Sequence, residues 1–181
     1  MNNTKTRNMV YTALLAAIIC ILAPISIPAG LVPMTLGTLA MYFVAAVAGA
    51  KRTAVALCLY ILIGCVGIPV FAGFTGGFQR VAGITGGYIV GFLPMSVLTA
   101  FLIDQKPDCI WMYPVAMVAG TVLLYVVGTA WFVLQSGRTL AAALAACVLP
   151  FLFGDALKIA VASIFAPRLR KVLQRFLTRD H

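Results

Sequence analysis

Long apolar runs, broken by short polar turns and by two stretches rich in proline or glycine, dominate the chain. Runs of this length and uniformity are typical of membrane-spanning helices. Because a bilayer core about 30 Å thick is crossed by about 20 helical residues, the second and third runs are short and must extend into the neighbouring loops. The pattern predicts an all-α polytopic membrane protein that forms one transmembrane domain over residues 1–181, with six spanning helices at about 7–22, 36–49, 53–66, 87–103, 111–134 and from Pro150 onwards.

The two breaks in the apolar pattern cannot be ordinary helical turns. Residues 24–37 contain three prolines and no charge, a spacing that prevents an uninterrupted helix. We expect this segment to fold back as a loop into the mouth of the bundle, where protein, water or ligand can satisfy its backbone groups. Residues 67–88 contain seven glycines, which allow unusual backbone conformations and let another molecule approach the main chain closely.

The last apolar region, after Arg138, has two interpretations. One is a single helix over residues 139–166, which would put Asp155 near the middle of the bilayer. The other begins the sixth span at Pro150, a residue suited to the first helical turn, and leaves residues 140–148 as a short surface helix. We favour the second interpretation. It places Asp155 about 8 Å and Lys158 about 12 Å below the start of the helix, within reach of a pocket that opens at that end.

Charge is scarce and mostly positive. The chain is 63% hydrophobic and 9% charged, has no glutamate, and carries a formal net charge of +9. The basic residues fall in short segments between apolar runs and in the terminal tail, where topology signals and contacts with the lipid bilayer are expected, so nucleic acid is not needed to explain them. With six spans, ten basic residues lie on the side of the termini and two, Arg80 and Arg138, on the other. This imbalance predicts cytoplasmic termini, with both breaks and the start of the sixth helix on the outer side.

Asp155 and Lys158 are the most informative pair, because they place an acid and a base three residues apart within an apolar segment. Positions i and i+3 project from one helix face. Placing an ionisable group at membrane depth costs free energy, so a chain that keeps two such groups there is expected to use them in its function. The alternative is an ion pair that serves only packing. Arg80 either joins this site or is a solvated loop arginine. Three more residues are expected to supply polar groups to the lining: Gln79, Tyr88 and Thr35. The alternative for each of them is that it only caps a turn.

Such a site suits a small ligand with an apolar body, a hydrogen-bonding head and a carboxylate. A membrane enzyme is disfavoured, since the only histidine is His181 at the end of the chain and no serine or cysteine lies in an activating motif. The five cysteines are scattered and include no Cys-x-x-Cys pair, so the sequence indicates neither a disulfide framework nor a metal site. The chain also lacks a phosphate-binding loop, so transport energy would come from a partner or an ion gradient.

Small residues four apart in the first span, Ala13 and Ala17, would let another helix approach closely in lipid. Ala45 and Gly49 repeat this spacing. The alternative is ordinary packing inside the bundle.

Three segments together resemble the signatures of the BioY family, the biotin-specific substrate-binding (S) components of energy-coupling factor (ECF) transporters. They are Gly83-Ile-Thr-Gly-Gly-Tyr-Ile-Val-Gly-Phe92, Pro69-Val-Phe-Ala-Gly73 with Gly76-Gly77, and Gly154-Asp-Ala-Leu-Lys158. The Ala13 and Ala17 spacing is similar to the motif by which such components dock on their coupling subunit. Two motif glycines, Gly77 and Gly86, become candidate ligand contacts.

The resemblance implies six helices in the bacterial cytoplasmic (inner) membrane, and biotin bound near the outer face as transported ligand with no cofactor. It also implies import driven by a transmembrane coupling subunit with two ATPases. A ureido ring with two N–H donors, an apolar thiophane and a valerate carboxylate match the ligand inferred from the residues. The alternatives are an S component for another small vitamin, or an integral-membrane enzyme that acts on a small substrate bearing a carboxylate.

Overall fold

A computed structural model describes residues 3–27 and 33–178, so Pro28, Arg179 and His181 lie outside the described part. The chain is an integral membrane protein built from helices and one short ribbon of two strands. In chain order the elements are α1 (Asn3–Leu22), β1 (Ser26–Ile27), β2 (Met34–Thr35), α2 (Gly37–Ala48), α3 (Ala50–Cys65), α4 (Phe78–Ala82), α5 (Gly86–Gln105), α6 (Met112–Ser136), α7 (Leu140–Cys147) and α8 (Leu149–Thr178).

Within the described ranges, four helices are long and apolar enough to cross a membrane: Lys5–Leu22, Gly86–Gln105, Met112–Ser136 and Leu149–Leu173. The second and third predicted spans form helices, α2 and α3, but these have only 12 and 16 residues. The preferred interpretation of the last region is confirmed, because α7 ends at Cys147 and α8 begins at Leu149.

The two breaks hold more regular structure than the sequence predicts. Strands β1 and β2 pair antiparallel within the proline-rich break, with Ser26 opposite Thr35 and Ile27 opposite Met34. The glycine-rich break contains the five-residue helix α4. The prediction of an all-α fold is confirmed, and the two-residue strands of the ribbon form where proline prevents a helix but extended backbone remains available.

Helices α5 and α6 make the most extensive contact in the bundle, and glycine is what lets them approach. A side chain at Gly120 would lie 2.9 Å from the carbonyl oxygen of Met95, and one at Gly91 would lie 2.9 Å from Leu124. At the other end of the interface, a Cβ at Gly128 would strike the ring of Tyr88. In lipid the hydrophobic effect does not drive helices together, so their association depends on van der Waals contact. Small residues increase this contact because they let the helices approach closely.

An ionic network fastens one end of the bundle. Arg170 on α8 donates to Asp104 Oδ1 at the end of α5 (2.7 Å) and to the carbonyl oxygen of Ala46 on α2 (2.9 Å). Asp104 Oδ2 accepts from the backbone N–H of Ala50, the first residue of α3 (3.2 Å). We call this the basic end of the bundle, because the chain near these contacts carries six residues predicted to be cytoplasmic: Lys51, Arg52, Lys106, Arg168, Arg170 and Lys171.

Candidate functional site

A cavity of about 140 Å³ lies at the end of the bundle opposite the basic end. Every helix except α1 contributes to its wall, together with Ala23 before the ribbon, Pro33 between its strands and Thr35 in β2. Its lining comprises Ala23, Pro33, Thr35, Thr38, Tyr60, Phe71, Ala72, Thr75, Arg80, Thr85, Tyr88, Ile89, Phe92, Leu124, Tyr125, Cys147, Phe151, Asp155 and Lys158. The wall is thus mostly aromatic and aliphatic, with a small polar group on one side, which is the usual composition of a small-molecule site.

The polar group centres on Asp155 and Lys158, which α8 projects from one face. Lys158 Nζ donates to Asp155 Oδ1 (3.0 Å), and the side chains of Lys158 and Asp155 are only 11% and 7% exposed, respectively. Tyr125 donates its hydroxyl to Asp155 Oδ2 (2.6 Å), and Lys158 Nζ also donates to Thr38 Oγ1 (2.9 Å). Each carboxylate oxygen has one partner within the protein and the ammonium has two, which leaves both groups able to form further hydrogen bonds, and three helices hold the pair in place.

The apolar wall is anchored around Phe71. Its ring packs edge-on against Tyr60 with centroids 5.6 Å apart and planes at 84°, a favourable aromatic geometry. A backbone pairing between Phe71 and Thr75 fixes the turn that carries it. Gly64 on α3 leaves the space for the ring, because a Cβ there would overlap the ring itself.

Tyr88 ties the opposite wall together. Its hydroxyl lies 3.3 Å from Thr129 Oγ1 on α6 and donates to the carbonyl oxygen of Cys147 on α7 (3.4 Å). Burial raises the pKa of the Cys147 thiol. The thiol therefore stays protonated near neutral pH and offers no nucleophile to the cavity.

The structure brings five of the eight predicted ligand residues to this cavity: Asp155, Lys158, Tyr88, Thr35 and Arg80. Thr35 has a second role, since its Oγ1 accepts from the backbone N–H of Gly37 at the start of α2 (3.1 Å). Arg80 reaches the cavity from α4 and is exposed to solvent.

The other three predicted residues lie away from the lining. Gln79 is exposed. Gly77 precedes α4 with a φ of +99°, a conformation that favours glycine. A Cβ at Gly86 would overlap the carbonyl oxygen of Val81, so this glycine permits the close contact between α4 and the start of α5. The structure therefore explains Gly77 and Gly86 by the path of the backbone near the cavity.

Sequence reasoning missed the residues that hold and enclose the ion pair, above all Tyr125 and Thr38. Both are uncharged and stand among many similar residues in apolar spans. The available signal was weak: Thr121 and Tyr125 are four apart, as are Thr38 and Tyr42, so each pair shares a helix face. The structure joins these two faces, because Tyr42 and Thr121 hydrogen-bond to each other at 2.6 Å.

The two small-residue patterns have different surroundings. Ala13 and Ala17 are exposed on α1, while Ala16 and Ile19 on its other face are buried. Ala45, by contrast, is fully buried inside the bundle. Packing within the bundle therefore accounts for Ala45 but leaves Ala13 and Ala17 on an outer surface.

Comparison with known proteins gives one consistent result. The model of the BioY family matches residues 1–175. The chain is 39% identical over 174 residues to the biotin transporter BioY2 of Lactococcus lactis subsp. cremoris, covering 96% of this chain and 95% of that protein. It is 36% identical over 167 residues to the biotin transporter BioY of Thermotoga maritima, covering 92% and 97% of the two chains. Its fold is similar to a crystal structure of the S-component for biotin from an ECF-type ABC transporter, with a TM-score of 0.86, 26% identity and 94% of each chain covered.

Proposed function

Because this chain belongs to the BioY family, we propose that it binds biotin as the substrate-specific component of an ECF transporter. It is a transport component and not an enzyme. The observation that carries the proposal is the buried pair of Asp155 and Lys158 at one side of an otherwise apolar cavity, with the cation of Arg80 on the same lining. One site thus offers an acceptor for N–H donors, an apolar wall and a cation for a carboxylate.

The chemistry of the lining suggests how biotin lies in the cavity. The Asp155 carboxylate can accept the ureido N–H donors, and Lys158 can donate to the ureido oxygen. The thiophane ring would pack against the aromatic wall of Tyr60, Phe71 and Phe151. Arg80, the exposed cation of the lining, is then left for the valerate carboxylate.

A thermal-shift panel with the purified protein tests the ligand. A ligand that binds only the folded state, at one hundred times its Kd, stabilises by about 2.7 kcal/mol, or roughly 5 to 10 °C for a chain of this size. We expect biotin to produce such a shift, and thiamine and riboflavin to produce none. Stabilisation by either of these vitamins without stabilisation by biotin would overturn the assignment, and turnover of a lipid or peptide would favour an enzyme.

The same panel tests the role of Arg80 when it includes biotin amide, which lacks the carboxylate. Since Arg80 is exposed, its contribution is limited to about 1 kcal/mol, so Arg80→Gln is expected to weaken biotin binding about fivefold and leave biotin amide unaffected. Arg138→Gln is the matched control, because Arg138 is also exposed on the outer side but lies outside the cavity lining. Equal losses for both ligands would place the carboxylate elsewhere.

We further propose that one substrate-binding domain over residues 1–181 crosses the bacterial cytoplasmic membrane six times, through α1, α2, α3, α5, α6 and α8. The basic end would face the cytoplasm with both termini, since loops rich in lysine and arginine stay inside. Single cysteines at positions 51 and 138, in a chain without its native cysteines, test this orientation. A membrane-impermeant maleimide added to intact cells should label position 138 alone. Labelling of position 51 alone would show that the orientation is the opposite of the proposed one.

As an S component the chain would act with a transmembrane coupling subunit and two ATPase subunits. The exposed face of Ala13 and Ala17 is the candidate docking surface, because small side chains let a partner helix approach closely in lipid. This face also leaves the biotin cavity untouched, since neither alanine belongs to its lining.

Replacing both alanines by leucine should separate binding from transport. Ala13→Leu with Ala17→Leu is expected to leave biotin affinity within about twofold, because surface substitutions usually change free energies by no more than about 0.5 kcal/mol, and to abolish ATP-driven uptake. The matched control is Ala156→Leu with Ala160→Leu, an exposed pair with the same spacing on α8. Uptake lost equally in both variants, or biotin binding lost with uptake, would contradict the docking role.

A further inference from the structure

A second cavity, a groove of about 520 Å³, lies at the basic end, far from the biotin site. It runs between the start of α6 and the C-terminal half of α8. Its lining comprises Pro107, Asp108, Ile110, Trp111, Pro114, Ser163, Ile164, Pro167, Arg168 and Lys171. Lys158 and Arg168 are ten positions apart on α8, which corresponds to about 15 Å along the helix.

The groove holds two cations that the described part of the protein does not use. Arg168 and Lys171 are three apart on one face of α8, and neither makes an ion pair or side-chain hydrogen bond with any residue that the structure describes. Arg170, between them in sequence, is engaged by Asp104 and the Ala46 carbonyl on another face. Arg168 and Lys171 therefore face the groove while their neighbour serves the fold.

Most of the remaining lining of the groove is apolar and continues into the surface that faces lipid. Trp111 is 81% exposed, and Ile110 and Ile164 are more than half exposed. From this point exposed valines follow the surface of α6 at intervals of three or four residues: Val115, Val118, Val122 and Val126. A strip that is cationic at one end and aliphatic along its length matches the two parts of a phospholipid.

Polar acceptors also line the groove. Pro167 has no N–H, so the Ser163 carbonyl four residues earlier lacks its helical donor. Asp108 supplies a carboxylate on the opposite wall and forms no ion pair among the described residues. These oxygens can accept hydrogen bonds from headgroup hydroxyls, which a choline headgroup lacks.

We propose that this groove binds an acidic phospholipid, with its phosphate on Arg168 and Lys171, its headgroup hydroxyls toward Asp108 and the Ser163 carbonyl, and its acyl chains along the valines of α6. Phosphatidylglycerol has this chemistry. A bound lipid would fill the seam between the start of α6 and α8, at the opposite end of the molecule from biotin.

Tryptophan quenching tests the proposal, because Trp111 lies in the groove. The chain has two tryptophans, so a Trp131→Phe background leaves Trp111 as the sole emitter. The protein is reconstituted in equal amounts of phosphatidylglycerol and phosphatidylcholine, with bromine on the acyl chains of one lipid at a time. Two basic contacts are expected to enrich phosphatidylglycerol at least about fivefold over phosphatidylcholine at Trp111.

Two double variants separate a built site from general attraction to an anionic surface. Arg168→Gln with Lys171→Gln should bring the ratio of quenching to about one. Lys51→Gln with Lys106→Gln removes two charges from the same end but outside the groove, and should keep the preference. Because both leaflets have one composition, the result does not depend on orientation.

Three outcomes would overturn the proposal. Equal quenching by the two lipids in the parent protein would show that the groove does not select an acidic headgroup. Equal losses in both double variants would assign the preference to diffuse surface potential. Protection of Trp111 from both brominated lipids would mean that protein, such as a second copy of the chain, covers the groove.

Discussion

Asp155→Asn and Lys158→Met are each expected to weaken biotin binding at least about tenfold, or 1.4 kcal/mol. Asparagine retains an acceptor oxygen but loses the charge that strengthens bonds to ureido N–H groups. Methionine keeps much of the apolar stem of lysine and removes the cation. Affinity is measured in detergent by calorimetry, with the melting temperature of the unliganded protein as the control for folding.

Both single variants should melt lower than the parent, because each leaves one charge of the buried pair without its partner. In Asp155→Asn the single amide oxygen cannot replace both carboxylate oxygens, and the Lys158 ammonium keeps only neutral partners. Lys158→Met leaves the Asp155 carboxylate with only the Tyr125 hydroxyl in a site that is 7% exposed. Stranding one charge of a buried pair costs about 3 to 5 kcal/mol, so this variant should melt clearly lower.

The double variant decides whether the pair serves the ligand or only the fold. Asp155→Asn with Lys158→Met strands no charge, so its melting temperature should recover toward that of the parent, while biotin binding stays lost. The matched control is Asp104→Asn with Arg170→Met, which neutralises the ion pair at the other end and should leave affinity unchanged. Near-native affinity in the first double variant would show that the pair only packs the bundle.

The helices could be predicted because apolar runs and their breaks are local properties of the sequence. The boundary between α7 and α8 followed from Pro150, which suits a first helical turn and not a helix interior. The ribbon could not be predicted, since it lies inside the proline-rich break and its strands have only two residues each, too few to show an alternating pattern. Helix α4 was missed because five residues between glycines have little intrinsic tendency to form a helix.

Tertiary contacts also override a local stop signal in α8. Proline in a helix interior removes a hydrogen bond and clashes with the preceding turn, yet α8 continues through Pro167 to Thr178. The contacts of Arg170 with Asp104 and Ala46 hold the C-terminal half against α5 and α2. No property of residues 160–170 alone indicates those partners.

The charged part of the candidate site was visible in sequence because ionisable residues in apolar spans are rare. Its uncharged part was hidden, since Tyr125 and Thr38 differ from other tyrosines and threonines only in the direction in which packing points them. The direction of the side chain also distinguishes two residues that are adjacent in sequence, because Arg80 lines the cavity and Gln79 does not. Predicting such directions requires the helix packing itself.

Gly128→Val is expected to lower both stability and biotin affinity strongly, because it forces the Tyr88 ring out of the cavity wall. A Cβ at Gly128 already strikes that ring, and valine adds two further methyl groups. Overpacking a close-packed interface typically costs about 1 to 3 kcal/mol. Since Tyr88 lines the cavity, we expect at least about tenfold weaker binding, equal to 1.4 kcal/mol, together with a lower melting temperature.

A second substitution shows whether the ring is the cause. Tyr88→Ala alone leaves a void, but Tyr88→Ala with Gly128→Val lets the valine occupy part of that space, so the double variant should melt no lower than Tyr88→Ala alone. Ala130→Val, exposed on the same helix, is the control for adding a branched residue to α6 and should change neither quantity. Melting temperatures that add in the double variant would mean that Gly128 is needed for something other than the Tyr88 ring, because independent sites add and residues in contact do not.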